Sequence, residues 1–155
     1  MPQMVFFNLP ITDLPRTRAF HTGLGCTINE AFSDDSAASV VVSDAIFFKI
    51  LTRARFAGFA DRPIGDPATQ IAVMVALNCD SRAEVDGFAA NALAHGGRDK
   101  GKTQELGLMY SRSLSDPDGN VIEAFWMDPA AAPGLSTART PADRVWVICY
   151  REGLG

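Results

Sequence analysis

Glu123 is the carboxylate that the sequence places best for chemistry. It sits in a β-prone run, Val121 to Trp126, immediately after the turn signal Asp116-Pro117-Asp118-Gly119-Asn120. A strand carboxylate facing a cavity can act as a general base or hold a cation. On the preceding run, Leu108 to Leu114, alternation puts Tyr110 and Arg112 on one face and Met109, Ser111 and Ser113 on the other. Tyr110 could donate a proton or hydrogen bond, and Arg112 could grip a carboxylate or phosphate with two parallel bonds. Glu123, Tyr110 and Arg112 are therefore the candidate catalytic residues, with a solvated face as the alternative for the last two. The only histidines, His21 and His95, fall on predicted helices or helix ends rather than strands. His95, before Gly96-Gly97, reads as a helix C-terminal residue favoured by the dipole, and His21 as a helix-face residue. No Cys–His or Ser–His–Asp set can be assembled, and there is no GxSxG, phosphate loop or GxGxxG. Gly23 and Gly25 close a helix, the wrong context for a dinucleotide.

The chain has 155 residues, 47% hydrophobic and 21% charged, enough for one domain or two small packed modules around a real core. Its formal charge of −4 argues against nucleic acid as a partner, and the one basic cluster, Arg98-Asp99-Lys100-Gly101-Lys102, is interrupted by an aspartate. No apolar run reaches the ~18 residues of a membrane helix, and Met1-Pro2-Gln3-Met4 does not open like a signal peptide. The reading is a cytoplasmic protein with a small-molecule ligand as its partner, and neither nucleic acid nor membrane. Cys26, Cys79 and Cys149 are widely spaced and read as buried thiols.

Positioning these residues requires a particular series of elements. Met4 to Leu9 reads as a strand. Thr12 and Asp13 offer a helix cap, with Pro15 in the first turn and Gly23 and Gly25 at the end. Cys26–Asn29, Ser39–Val42 and Ile46–Leu51 follow as strands. The Gly/Pro-rich stretch 54–69 reads as a linker. The order then restarts: a strand at Ile71–Leu77, a capping box at Ser81-Arg82-Ala83-Glu84, and helical spacing from Val85 to Leu93. A weaker strand at 100–105, Leu108–Leu114 and Val121–Trp126 complete it. The fold class is α+β, two βαβββ modules at about 1–53 and 70–128, repeating about 70 residues apart in register. Residues 129–155 form a tail, with a candidate extra strand at 144–152 that could add to a sheet or a dimer contact.

Two stretches resemble the vicinal-oxygen-chelate superfamily of glyoxalases, bleomycin-resistance proteins and extradiol dioxygenases. Asn8-Leu9-Pro10-Ile11-Thr12-Asp13-Leu14 with Arg18-Ala19-Phe20-His21-Thr22-Gly23-Leu24-Gly25 is similar to the family's opening strand and helix, with His21 in place of a tyrosine. Ser115-Asp116-Pro117-Asp118-Gly119-Asn120-Val121-Ile122-Glu123 is similar to its Asp-Pro-Asp-Gly hairpin followed by a glutamate. Residues 1–128 are thereby expected to form one domain, an open U-shaped mixed β-barrel with helices outside, and the protein to be a homodimer.

The resemblance also implies a divalent ion held by four inward side chains, on the first and last strands of each module. Glu123 matches one position. The others fall at Phe6 or Asn8, at Lys49 or Phe48, and near Ala72 to Met74. None of these suits a cation, so no metal ligand set and no cofactor are expected. Glu123 and Lys49 would then be free to pair with each other. Asn8, Lys49, Phe48 and Met74 become candidate ligand-binding residues. Phe56 and Phe59 in the linker could cover the cavity mouth, but a strap packed outside the sheet is the simpler expectation. The function implied is a glyoxalase- or bleomycin-resistance-like protein with a small-molecule cavity and a degenerate metal site. The alternatives are a metal-dependent lyase, isomerase or dioxygenase of the same superfamily, and a non-catalytic ligand-sequestering dimer.

Overall fold

The computed structural model describes residues 3–131. The tail strand expected at 144–152 lies outside them. In the first module, β1 (Val5–Ile11) and α1 (Leu14–Gly23) are followed by β2 (Thr27–Asn29), a single 3-10 turn (Glu30–Phe32), β3 (Ala37–Val41) and β4 (Ile46–Thr52). A short helix, α2 (Arg53–Ala57), opens the linker. The second module repeats the series as β5 (Met74–Asn78), α3 (Arg82–Ala94), β6 (Arg98–Glu105), β7 (Met109–Ser115) and β8 (Val121–Met127). The two four-stranded sheets have the same topology, β1-β4-β3-β2 and β5-β8-β7-β6. The first and last strands of each module pair in parallel and the rest antiparallel. The fold is α+β, and among the described residues no hydrogen-bonded ladder joins the two sheets.

Local chemistry accounts for both main helices. Asp13 caps α1, its Oδ1 accepting the Arg16 amide at 2.9 Å, with Pro15 in the first turn. Ser81 Oγ accepts the Glu84 amide at 3.1 Å, and Glu84 reaches back to the Asp80 amide, a capping box displaced by one residue. β5 begins at Met74 rather than Ile71. Its partner β8 begins opposite Met74, so Ile71 and Val73 have nothing to pair with and stay 59% and 58% exposed. β6 is strongly hydrophilic, as suits an edge strand, and its pairing shifts between Asp99 and Thr103.

Alternation assigns each strand one face to the helices. Leu9 and Ile11 of β1, Val40 of β3, and Phe48 and Ile50 of β4 pack around Phe20 of α1. The same cluster continues through Val75, Leu77, Ala89, Ala92, Leu114 and Ile122 of the second module, so the modules share a core. Burying those side chains removes large apolar areas from water, at about 25 cal/mol per Å². The turn Asp116–Asn120 reinforces the contact. Asp118 accepts hydrogen bonds from the Thr12 amide and hydroxyl, from Arg16 and from Thr17, and Asn120 Nδ2 donates to the Pro10 carbonyl.

Candidate functional site

The strand faces turned away from the helices carry the site. On β1 and β4, Asn8 stands opposite Lys49 in register. On β5 and β8, Ala76 stands opposite Glu123. Asn8 and Ala76 occupy equivalent places before the helix caps Asp13 and Ser81, so the two pairs are related by the module repeat. The register thus selects Asn8 over Phe6 and Lys49 over Phe48. It moves the remaining position to Ala76, beyond the Ala72–Met74 window.

Phe48 and Met74 separate from the ligand-binding set. Phe48 points to the opposite face, 1% exposed, with its ring 5.4 Å from that of His21. It is a core residue because it is one step out of phase with Lys49. Met74 opens an edge strand, 48% exposed, and does not line the cavity around Asn8 and Lys49. Phe6 shares a face with Asn8 and stacks on Phe47, ring centroids 4.7 Å apart.

Asn8, Lys49 and Leu51 form the floor of a cavity of about 440 Å³. Its walls are Phe32, Asp34 and Ala37, and Arg55, Phe56, Phe59 and Ala60 close over it. The linker helix α2 therefore covers this face, and the outside strap is corrected. Thr52 caps α2 by accepting the Arg55 amide, which turns the chain back over β1 and β4 as soon as β4 ends. Two phenylalanines in a Gly/Pro-rich stretch were the available signal; Phe56 is partly buried here, whereas Phe59 lines the cavity and stays exposed.

The charges in the cavity are unevenly used. Lys49 Nζ donates to the Phe32 carbonyl at 2.7 Å and makes no ion pair among the described residues. Arg55 lies over the Phe59 ring, 5.5 Å from its centroid, likewise without an ion pair. Asp34 Oδ1 accepts from the Ser36 hydroxyl and amide and from the Ala37 amide. Those bonds, the Ser36 hydroxyl first, hold its carboxyl below the usual carboxylate range.

The second module's polar face is built differently. Glu123 Oε1 accepts the Ser111 hydroxyl at 3.2 Å, and Ser113 lies directly opposite Glu123. The ion pair of Glu123 with Lys49 is not formed among the described residues. Nor does the structure bring Tyr110 and Arg112 to Glu123. They pair with Trp126 and Ala124, on the face that packs under α3. There the Tyr110 hydroxyl donates to Asp86 at 2.7 Å, and Arg112 bridges Asp86 and Asp99. Arg82 of α3 lies over the Tyr110 and Trp126 rings at 5.4 and 5.2 Å. Ser111, one residue out of phase, is the β7 side chain that meets Glu123, and strand alternation alone separates it from Tyr110.

A divalent ion does not fit these positions. The set is Asn8, Lys49, Ala76 and Glu123: one carboxylate, one amide, one methyl and an ammonium that would repel the cation. No group of three or more His, Cys, Asp or Glu side chains suited to a metal occurs among the described residues. His21 lies away from these positions. It is fully buried beside Phe20 and Phe48, neither ring nitrogen has a hydrogen-bond partner among the described residues, and burial pulls its pKa down to about 4 against the raising influence of Asp118.

No family model and no curated protein matches the sequence. Solved structures do match. Hypothetical protein SA1046 from S. aureus superposes with a TM-score of 0.69 at 20% identity, over 81% of this chain and 94% of that one. A glyoxalase/bleomycin resistance protein/dioxygenase family enzyme from Burkholderia phytofirmans PsJN gives 0.66 at 17%, over 79% and 96%. The fosfomycin resistance protein FosX from Listeria monocytogenes gives 0.58 at 18%, over 79% and 91%. The chain has the fold of the glyoxalase/bleomycin resistance/dioxygenase proteins. Among the described residues no helix is long and apolar enough to cross a membrane.

Proposed function

We propose that this chain is a small-molecule-binding protein of glyoxalase fold that works without a resident divalent ion. The observation that carries the reading is Lys49. It stands opposite Asn8, where the resemblance implies a metal-ligating side chain, and it floors a cavity of about 440 Å³. Ligand pockets in general span about 300–1,000 Å³ and combine apolar walls with a few fixed polar groups, as this one does. A metal-dependent lyase, isomerase or dioxygenase would need ligands that Lys49 and Ala76 do not supply.

The same reading takes the protein as a cytoplasmic homodimer. The free thiols Cys26 and Cys79 suit a reducing compartment. Phe6, Val73 and Met74, on or beside the edge strands β1 and β5, leave apolar surface open to a second copy. Elemental analysis of protein purified without chelator or histidine tag tests the central point, with Glu123→Ala as control. Substoichiometric metal in both is the expected result. Stoichiometric metal lost in the variant overturns the reading. Light scattering after size exclusion decides the dimer, and a monomer mass removes it.

A further inference from the structure

We propose that the cavity over β1 and β4 selects a small organic monoanion with a flat apolar body, its carboxylate held by Lys49 and Arg55. This rests on the metal-free reading above and deepens it by naming the ligand class. The cavity's cations outnumber its anions: Lys49 and Arg55 line it against Asp34. Asp34 is already engaged by three donors from Ser36 and Ala37, so its carboxylate is turned onto its own loop. Lys49 spends one of its three protons on the Phe32 carbonyl, which fixes the ammonium and leaves two for a ligand. Arg55 acts on the Asp34 charge from a distance but makes no ion pair with any carboxylate among the described residues, so its guanidinium hydrogens stay open to a ligand. Two cations set against the single Asp34 carboxylate, which lies beyond ion-pair contact of both, leave the cavity with a net positive charge that attracts an anion.

The apolar half of the ligand is defined by what stands open. Phe32 and Phe59 line the cavity, yet remain 68% and 73% exposed, an unusual cost for two large rings on one site. A planar body lying between them would cover both. Asn8 on the floor adds an amide that can donate to the ligand's polar end or accept from it.

Titration calorimetry with phenylacetate, phenylacetamide and benzylamine tests this on the full chain. The three probes share a ring and differ in charge. Phenylacetate is expected to bind at least tenfold more tightly than phenylacetamide, with benzylamine weaker than either. Lys49→Met and Arg55→Gln are each expected to lower phenylacetate affinity at least tenfold, while Lys49→Arg holds it within about threefold. Melting curves of the variants separate loss of binding from loss of fold. Equal binding of acid and amide, or unchanged affinity in both neutral variants, overturns the anion selection. So does failure of all three probes to bind. The metal content of the same preparation decides the underlying reading separately. Metal there would sink the metal-free reading whatever the probes do.

Discussion

Thr17 Oγ1 donates to Asp118 Oδ2 at 2.6 Å, a hydrogen bond between residues 101 positions apart that closes the first module on the second. The other Asp118 oxygen accepts from the Thr12 amide and hydroxyl and from Arg16. The carboxylate is 1% exposed and every one of these donors belongs to β1–α1 or its entry. Asp118 is thus a clasp, and the Asp-Pro-Asp-Gly turn serves the contact between modules as well as reversing the chain.

Asp118→Asn is expected to destabilise the protein by about 2–4 kcal/mol at neutral pH, since a buried acceptor becomes partly a donor facing donors. Burial opposes ionisation of Asp118, but the hydrogen bonds from Thr12 and Thr17 outweigh it and hold the pKa below 3.8. The ionised carboxylate therefore contributes fully above that value, and its contribution is lost as pH falls through the depressed pKa. Urea melts of both proteins should show the gap narrowing only at strongly acid pH. A gap already closed at pH 5 contradicts the assignment.

His21 predicts acid sensitivity in a different window. The folded pKa lies near 4 against 6.5 for the free side chain, so the unfolded chain takes up a proton first. Stability is lost as pH falls from about 6.5 toward 4, by up to about 3 kcal/mol for this group. Asp116 opposes it there. Burial raises its pKa from 3.8 to about 6, so the strain of its charge is relieved over much of the same range. The difference between wild type and His21→Leu isolates the histidine. Wild type should lose ground to the variant on acidification, and parallel profiles would show that His21 has access to a partner when charged.

Two close approaches predict unequal penalties for adding one methyl. A Cβ on Gly23 would lie 2.3 Å from the His95 ring, a side chain at an exposed helix end. A Cβ on Gly97 would meet the Ala92 carbonyl at 2.8 Å, and the Phe20 ring and Ser115 carbonyl at 2.9 Å. Gly23→Ala should cost about 1–2 kcal/mol and recover most of it in the double variant with His95→Ala. Gly97→Ala should cost about 3 kcal/mol with no such rescue, because backbone cannot swing aside. Thermal denaturation of the set checks both.

Tyr110 and Arg112 are held under α3 by Asp86 and Asp99. Tyr110→Phe and Arg112→Gln are therefore expected to leave phenylacetate affinity within about twofold and to cost no more than about 1 kcal/mol each, as exposed polar pairs do. Calorimetry on the two variants measures this. A tenfold loss of affinity in either would return that residue to the site.

The sequence by itself determined the order of the strands and the starts of the two longer helices, α1 and α3, because caps, turns and hydrophobic periodicity are local; the short α2 fell in what read as linker. Asp13, Ser81 and the Asp116–Asn120 turn mark their positions within four or five residues of chain. The resemblance added the expectation that a four-ligand metal centre is missing, because the positions it implies beyond Glu123 fall on Lys49 and other side chains that do not suit a cation. What only the tertiary structure decided was phase and proximity. Alternation divides β7 into two faces, but nothing local says which one a helix will cover; α3 took the face of Tyr110 and Arg112 and left Ser111 to Glu123. A shift of one residue likewise separates Lys49 in the cavity from Phe48 in the core. Lys49 and Glu123 belong to separate sheets, and the pairing that sequence symmetry suggested gave way to the Phe32 carbonyl and to Ser111. The fold of Phe56 and Phe59 over Asn8 was decided the same way. The cavity that those rings line exists only once β1 and β4 have paired and set Asn8 beside Lys49.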